Sequence, residues 1–365
     1  MVSLSNLLFL ALSATSVGAY KAAAGHYGDY SVVPGFFKQD DLSTNATTFD
    51  HHDNLGLNEN LTWPEFKQQV DDLNANAPEG TTYKVIYYAV CFHNVATLYY
   101  GKNAWKCYWC QMNGNGTIFW GPDGYLTEKG EDFARNNSKL IKSLIVDGFP
   151  LPQSMYVSPL SRCGDTLVLT WGDLLLKPGY IRPVVKEGLR EVMGVETPDL
   201  RRSKTYLKER YPYFDFEHGF AEEDQLFSPT EGETPGGLYW RGRSVLDDIF
   251  TSDENTFISL TGHSDNGAGL LKAAGHREFP LNTGAIIPFV VKRVSRIDFN
   301  PVQPDIDVTV GPSLTSTTCA ATLSISTLDS SVAYATQEVS DGDQISVFTV
   351  TTVVTVTPTS TSTSA

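Results

Sequence analysis

Short runs of β-branched and aromatic residues alternate along the chain with longer stretches in which apolar residues recur every three or four positions. The runs predict strands at residues 83–89, 154–158, 181–185, 257–260 and 285–294, and the periodic stretches predict helices at residues 63–74, 128–145, 164–169, 201–210, 241–251 and 266–274. Pro288 in the last run marks an edge position or a bulge. This alternation predicts an α/β fold with a mostly parallel sheet and helices on both faces.

The segment at residues 83–96 is the centre of this pattern. Residues 85–88 carry no charge and are β-branched or aromatic, which is typical of a buried central strand. We expect this strand to end near Ala89 and a helix to begin at His93. Such a turn places backbone N–H groups and a helix N-terminus at the carboxyl edge of a sheet, where anions bind.

Composition limits the classes of partner. The chain has 365 residues, of which 41% are hydrophobic, so it can bury one large core or two modest ones. Its formal net charge of -15 argues against non-specific binding of nucleic acid and against anionic membrane surfaces. A small basic pocket for a phosphorylated or other anionic small molecule remains compatible with this charge.

The N-terminal residues predict export. Residues 1–19 resemble a secretory signal peptide, because an apolar run is followed by the small side chains Val17 and Ala19. Four Asn-x-Ser/Thr sequons support this interpretation, since each can accept a glycan in a secreted chain: Asn45, Asn60, Asn115 and Asn136. We therefore predict a secreted protein, either extracellular or in the cell wall.

Two stretches lie outside the alternating pattern. Residues 20–62 show little periodicity and predict an irregular arm anchored by Phe36, Phe37 and Leu55. Residues 313–365 contain 25 Ser or Thr among 53 positions and no Lys or Arg, which predicts a solvated tail. These observations divide the chain into a signal peptide (1–19), a main domain (20–300) and a Ser/Thr-rich tail (301–365).

The cysteine pattern favours a structural disulfide. The chain has five cysteines, so at least one is a thiol or forms an intermolecular bridge. Cys107 and Cys110 have CxxC spacing, but the aromatic residues around them do not suit a redox motif. We expect one of them to pair with Cys163. No second ligand pair at finger spacing exists, so neither zinc nor another metal is predicted.

Two predicted strands are followed by residues that suit phosphate binding. Arg162 follows the strand at 154–158, and His263 follows the strand at 257–260. Both would lie at the same edge of a parallel sheet, where Arg offers a planar fork for phosphate oxygens. Glu191 is a candidate proton donor to a leaving oxygen. Each residue alone is as compatible with a salt bridge or a solvated helix, so the hypothesis depends on their combination.

Five segments carry a resemblance to a known family. SPLSRC, KEGLREVMG, TYLKERYPYFDFEHGFAEED, TFISLTGHS and LNTGAIIPFVVK resemble the fungal branch of the phosphoglycerate-mutase-like, or histidine phosphatase, superfamily. The resemblance covers roughly residues 30–295. It implies an α/β/α sandwich with a small inserted helical part, and phosphoryl transfer through a phosphohistidine with no metal or other cofactor. It places the second phosphate-binding Arg at Arg162, the second His at His263, the acid at Glu191 and a binding Asn at Asn94.

The resemblance fails at the first strand. The family has a stretch similar to FLGRHGEGYHNVAE, in which the His attacks phosphorus and the Arg holds the phosphoryl oxygens. This chain has YYAVCFHNVAT, about three residues shorter, so the nucleophilic His and its Arg have no counterpart. His93 is misplaced for in-line attack. Cys91 would need a depressed thiol pKa. A different exon boundary that restores Arg-His-Gly is a further alternative.

The sequence thus predicts a secreted, catalytically impaired protein of this superfamily. It would bind a phosphorylated or anionic small molecule, or act as an accessory protein in fungal secondary metabolism. The alternatives are an active phosphomonoester hydrolase of the acid phosphatase type, and a structural protein of the cell wall whose tail is the functional part. Loops at residues 101–125 and 219–240 are expected to set the substrate.

Overall fold

The computed structural model describes residues 28–91, 102–176 and 180–295, together with the backbone of three strands between residues 322 and 350. The predicted signal peptide and the positions His93 and Asn94 lie outside the described residues. Within the described residues, no helix combines the length and apolar character needed to cross a bilayer.

A seven-stranded mixed sheet forms the centre of the main domain, with the strand order β1-β7-β2-β6-β3-β4-β5. The strands are β1 (Gly28–Val32), β2 (Thr81–Val90), β3 (Ser154–Val157), β4 (Val184–Val185), β5 (Asp215–Phe216), β6 (Phe257–Gly262) and β7 (Ile286–Ser295). The five strands β2, β6, β3, β4 and β5 are parallel, and β7 is antiparallel to both of its neighbours. The prediction of an α/β fold with a mostly parallel sheet is confirmed.

Seven α-helices accompany the sheet in the described part of the chain. They are α1 (Trp63–Ala75), α2 (Lys102–Cys107), α3 (Glu128–Val146), α4 (Ser161–Trp171), α5 (Lys204–Arg210), α6 (Pro235–Ser252) and α7 (Ser264–Ala273). Side-chain caps define two of the predicted helix starts. Thr62 and Glu65 form a reciprocal capping box at α1, and the Thr127 hydroxyl accepts the Gly130 N–H at α3.

Strand β2 is buried on both faces, which explains its continuous run of apolar residues. Val85, Tyr87 and Ala89 belong to one core, which α1, α3 and α4 cover. The alternate residues of the strand, Ile86 and Tyr88, belong to a second core, which α6 and α7 cover. The sheet therefore lies between two helical layers, as in an α/β/α sandwich.

The observed secondary structure differs from the prediction at β1 and at the start of α6. The arm at residues 20–62 contains strand β1, which pairs with β7, and it is anchored as expected by buried Phe36, Phe37 and Leu55. Helix α6 begins at Pro235 rather than near residue 241, because the Thr234 hydroxyl caps it by accepting the Gly237 N–H. The glycine-rich start of this helix hides its apolar period.

Pro288 lies in β7 at a position where β2 is the paired strand, opposite Tyr87, and the register there is regular. Strand β1 pairs only with residues 291–295 of β7, so Pro288 occupies an edge-like position without a bulge.

The C-terminal stretch contains a separate three-stranded antiparallel sheet in its described backbone, with the order β10-β9-β8. Its strands are β8 (Thr322–Asp329), β9 (Val332–Asp341) and β10 (Gln344–Val350). The domain boundary near residue 300 stays a prediction.

Candidate active site

The carboxyl ends of β3 and β6 bring Arg162 and His263 together. The two strands are parallel neighbours with Val157 opposite Thr261, so the chain leaves both at the same edge. Arg162 is the second residue of α4, and His263 is the residue that precedes α7. The Arg162 Nη2 atom lies 3.3 Å from the His263 Nδ1 atom. The structure thus brings these two residues into contact, as the sequence predicts. Their roles in catalysis stay predictions.

The hydrogen bonds around His263 assign its tautomer. A guanidinium only donates, so Nδ1 of His263 accepts from Arg162. The other ring nitrogen, Nε2, lies 2.9 Å from the Ser158 hydroxyl oxygen and therefore donates to it. Both ring nitrogens of His263 therefore have a protein partner.

Strand β2 fixes the backbone of His263 through Tyr88. The His263 N–H donates to the Tyr88 hydroxyl oxygen at 2.9 Å, and the same hydroxyl lies 2.8 Å from the His263 carbonyl oxygen. Gly262 allows this approach, because a Cβ atom there would lie 2.3 Å from the Tyr88 hydroxyl oxygen. The position of the imidazole is therefore set by the central strand.

Arg162 is buried and only partly used by protein partners. Its Nη1 donates to the Pro198 carbonyl oxygen at 2.8 Å, and its Nη2 donates to Asp199 Oδ1 at 2.7 Å. Its Nε atom is buried and has no hydrogen-bond partner among the described residues. Because a guanidinium has five N–H donors, Arg162 retains donor capacity for an anionic oxygen.

Glu191 lies at the N-terminus of α7, next to His263. Its Oε1 accepts the N–H of Asn266 at 3.3 Å, and the Ser264 hydroxyl lies 3.5 Å from its Oε2. Burial raises the pKa of Glu191 to about 8, and the nearby carboxylate of Asp199 adds to this effect. Glu191 is therefore protonated at neutral pH, the state that a general acid requires.

Cys91 is the first residue after β2 and enters the same site. Its N–H donates to the Gly262 carbonyl oxygen at 2.9 Å, which continues the pairing of β2 with β6. Cys91 forms a disulfide with Cys163, the third residue of α4, and its Sγ lies 3.2 Å from His263 Nδ1. Cys163 Sγ lies 3.3 Å from His263 Nε2. A disulfide thus contacts the imidazole.

The predicted pairing of Cys163 with Cys107 or Cys110 is wrong. Cys91 follows β2 and Cys163 lies in the first turn of α4, and their Cα atoms are 4.9 Å apart. Cys110 is instead a free, buried thiol in a separate cluster with Ala104, Trp105 and Trp120. Burial raises the pKa of the Cys110 thiol to about 12, so this residue is a poor nucleophile. The side chain of Cys107 and the whole of Cys319 lie outside the described residues.

Comparison with known proteins agrees with this geometry. Residues 101–309 match the model of the histidine phosphatase superfamily (branch 1). The chain belongs to the histidine phosphatase superfamily.

Two fungal proteins are similar to this superfamily member over most of its length. It is 36% identical over 326 residues to a protein of Arthroderma benhamiae named probable phosphoglycerate mutase, which covers 84% of this chain and 97% of the relative. It is 33% identical over 264 residues to phosphomutase-like protein 3 of Candida albicans, which covers 72% of this chain and 79% of the relative. A solved phosphoglycerate mutase from Thermus thermophilus aligns with 17% identity and a TM-score of 0.30, over 56% of this chain and 91% of that chain.

Three residues that support the superfamily site were missed by sequence reasoning. Ser158 and Asp199 hold His263 and Arg162, and Asp123 holds the start of α4. Asp123 Oδ1 accepts the Ser161 N–H at 2.7 Å, and its Oδ2 accepts the Ser161 hydroxyl at 2.6 Å. This contact starts α4 at residue 161 rather than near 164. Only Ser158 had a local signal, since it is the last residue of a predicted strand.

Other buried arginines near the site of this superfamily member are already paired. Because they are buried cations, they could be taken for a second phosphate site. The shortest ion pair of each joins Arg190 Nη2 to Asp224 at 2.6 Å, Arg201 Nε to Glu187 at 2.6 Å, and Arg241 Nη2 to Glu233 at 2.6 Å. These arginines connect the loops that surround the site rather than extending it.

The loop predicted to set the substrate borders the superfamily site. Trp105 Nε1 donates to Glu196 Oε2 at 2.9 Å, and the Thr197 hydroxyl donates to the Met112 carbonyl oxygen at 2.6 Å. The segment at residues 196–199 also supplies the partners of Arg162. Residues 102–120 therefore rest on the segment that positions the guanidinium.

Among the described residues, two groups of side chains have the donor types of a metal site. Cys91, Cys163 and His263 have ligand atoms within 4.8 Å of one another, and Asp50, His51 and His52 form a second group near the surface. The disulfide removes both thiolates from the first group, so it offers only the imidazole as a ligand. The predicted absence of a metal stays a prediction.

The four predicted glycan acceptors, Asn45, Asn60, Asn115 and Asn136, are all exposed. Each is therefore accessible for modification. Whether any carries a glycan stays a prediction.

Proposed function

We propose that this member of the histidine phosphatase superfamily is a secreted protein that binds a phosphorylated small molecule and is catalytically impaired while its Cys91–Cys163 disulfide is intact. The observation that carries this proposal is the position of Cys91. It stands at the end of the central strand, bonded to another sulfur and in contact with His263.

Binding is supported by the groups that remain at the sheet edge. Arg162 is a buried cation with an unused Nε–H donor among the described residues. The N-termini of α4 and α7 lie at the same edge, and the positive end of a helix dipole favours an anion. A phosphoryl group placed here would receive a charge-assisted hydrogen bond from Arg162.

The proposed impairment of catalysis follows because a disulfide offers no thiolate nucleophile. Covalent phosphoryl transfer needs a nucleophile with a free electron pair aimed at phosphorus. A disulfide sulfur has no thiolate, and His263 directs its Nδ1 lone pair at Arg162. Loss of a covalent nucleophile costs enzymes on the order of 10⁶ in turnover rate, so we expect only residual hydrolysis.

The substrate class and location rest on similarity and on surface features. The relatives are named probable phosphoglycerate mutase and phosphomutase-like protein 3, which supports a phosphorylated small molecule here as well. The disulfide and the four exposed sequons are typical of exported proteins. Both agree with the predicted signal peptide.

Calorimetric titration of the full chain with inorganic phosphate in non-reducing buffer tests this function. We expect saturable binding that Arg162→Gln and His263→Asn weaken at least tenfold. Arg182→Gln is the matched control, because Arg182 is an exposed arginine paired with Asp215. Folding of each variant is checked by circular dichroism. Equal binding by Arg162→Gln and the wild type would contradict the proposal, and so would rapid hydrolysis of p-nitrophenyl phosphate by the oxidised protein.

A further inference from the structure

We propose that Cys91 is a latent nucleophile, and that reduction of the Cys91–Cys163 disulfide by a small thiol converts the protein into a cysteine-dependent phosphomonoesterase. This inference rests on the proposed function, because Arg162 must bind the phosphoryl group that Cys91 attacks.

The placement of Cys91 carries the argument. Its sulfur and the Arg162 Nη2 atom contact the same His263 nitrogen, at 3.2 and 3.3 Å. A phosphoryl group bound through an oxygen to the guanidinium would therefore have the Cys91 sulfur as a neighbour. Cys91 is also held by the sheet, because its N–H is paired with Gly262. Attack therefore starts from a fixed backbone, as near-attack geometry requires.

The surroundings favour the thiolate after reduction. Arg162 supplies positive charge close to Cys91, and Asp199 offsets part of it. Cys163 lies in the first turn of α4, where the helix dipole stabilises a thiolate and assists exchange with an incoming thiol. Cys110, by contrast, is surrounded by tryptophans and has a pKa of about 12. The two cysteines at the sheet edge are thus the reactive pair in the described part of the chain.

The chemistry balances in three steps. A dithiol gives two electrons and two protons to the disulfide, leaves as an oxidised disulfide, and frees Cys91 and Cys163 as thiols. The Cys91 thiol releases its proton to solvent, and the resulting thiolate attacks phosphorus and forms an S–P bond. The P–O bond to the leaving group breaks, and the leaving oxygen takes the proton of the Glu191 carboxyl.

Water completes the cycle. It attacks the phosphocysteine, its proton passes to the Glu191 carboxylate, and the S–P bond breaks to return the Cys91 thiolate and inorganic phosphate. Glu191 starts and ends the cycle protonated. No metal or further oxidant is needed.

Oxidation would then control access to the nucleophile. Both sulfurs contact His263, so the disulfide occupies space beside the imidazole. Breaking the bond lets the sulfurs separate and frees that space for a phosphoryl oxygen. Both cysteines are buried, so we expect reduction by dithiothreitol to be slow.

The test measures turnover of p-nitrophenyl phosphate by the full chain with and without dithiothreitol. We expect turnover of the wild type to rise on the order of 1,000-fold or more on reduction, as expected when a covalent nucleophile is restored. Cys163→Ser leaves Cys91 permanently free and should be active without reductant. Cys91→Ser should be inactive in both buffers. Cys110→Ser is the matched control, because it removes a buried thiol outside the site, and it should respond to reductant like the wild type.

A second measurement keeps the test decisive if Cys163→Ser does not fold. Reduced wild-type protein is quenched during turnover, and peptide mass spectrometry locates a phosphoryl adduct. An adduct on Cys91 supports the proposal. Turnover of Cys91→Ser equal to that of the reduced wild type would overturn the proposal. A reduced protein that is folded but shows neither turnover nor adduct would also overturn it. So would a reduced protein that circular dichroism shows to be unfolded. Phosphate binding by the oxidised protein is measured separately, so its survival would show that only this inference had failed.

Discussion

The ends of β3 and β6 and the end of β2 lie at one edge of the same sheet, but they differ in chemistry. After β3 and β6 the chain presents Arg162 and His263, the residue types that a phosphoryl group requires. After β2, the central strand between β7 and β6, it presents Cys91 in a disulfide. The groups that would hold phosphate and the group that would attack it thus come from different strands.

This difference shows why the binding groups can persist without the nucleophile. Arg162 joins the segment at residues 198–199 to the start of α4, and its partner Asp199 is also buried. Removing a buried ionic partner is costly, so packing alone retains the guanidinium. No such network in the described residues requires an imidazole at the end of β2.

The largest effect on stability should come from breaking the ion pair between Arg162 and Asp199. Arg162→Ala leaves the buried Asp199 carboxylate unpaired, so we expect the free energy of unfolding to fall by about 3–5 kcal/mol. Arg182→Ala removes an exposed arginine that is also paired with an aspartate, and should cost far less stability, because solvent screens this pair. Urea unfolding of both variants measures the contrast. Equal losses of unfolding free energy would show that the buried Arg162 ion pair contributes no more to stability than the exposed one.

The next effect concerns the end of β2. The Cys91–Cys163 disulfide joins residues 72 positions apart, so its loss should lower the free energy of unfolding by about 2–4 kcal/mol. Denaturant unfolding of the wild type with and without dithiothreitol measures this. The double variant Cys91→Ala/Cys163→Ala should show no further loss on adding reductant. A reductant effect that survives in the double variant would locate the sensitive bond elsewhere.

Glu191 should make stability depend on pH. Its pKa rises from the ordinary value of 4.5 to about 8 on folding, so the folded state binds the proton more tightly. Wild-type stability should therefore fall between about pH 5 and pH 8 and level off above pH 8. Glu191→Gln should remove this slope.

Thermal unfolding of the wild type and Glu191→Gln at pH 5 and pH 9 measures the difference. If the wild type instead gained stability relative to Glu191→Gln as the pH rose, the assignment of a protonated Glu191 would be wrong.

The smallest effect should come from Asp123. In Asp123→Asn one side-chain oxygen can still accept the Ser161 N–H, and the new amide can donate to the Ser161 hydroxyl, so we expect a loss of about 1 kcal/mol. Asp123→Ala leaves both Ser161 donors without their acceptor and should cost about twice as much. Chemical denaturation of the pair separates the two. A loss as large as that of Arg162→Ala would mean that Asp123 controls more than the start of α4.

Periodicity and strand composition were sufficient to predict the sheet and most helices, because β2 is buried on both faces and the helices are amphipathic. They also predicted that Arg162 and His263 meet, since parallel strands end at one edge. The disulfide could not be predicted, because Cys91 and Cys163 approach only through the pairing of β2 with β6 and the start of α4. Asp123 and Asp199 were missed for the same reason, because each acts through contacts made far along the chain.

A crystal structure of the oxidised protein soaked with inorganic phosphate tests the central claim most directly. The account predicts phosphate at the carboxyl edge of the sheet, hydrogen-bonded to Arg162 and adjacent to His263, with the Cys91–Cys163 disulfide intact beside it. Phosphate bound elsewhere with this edge empty, or a phosphorylated His263, would contradict the account.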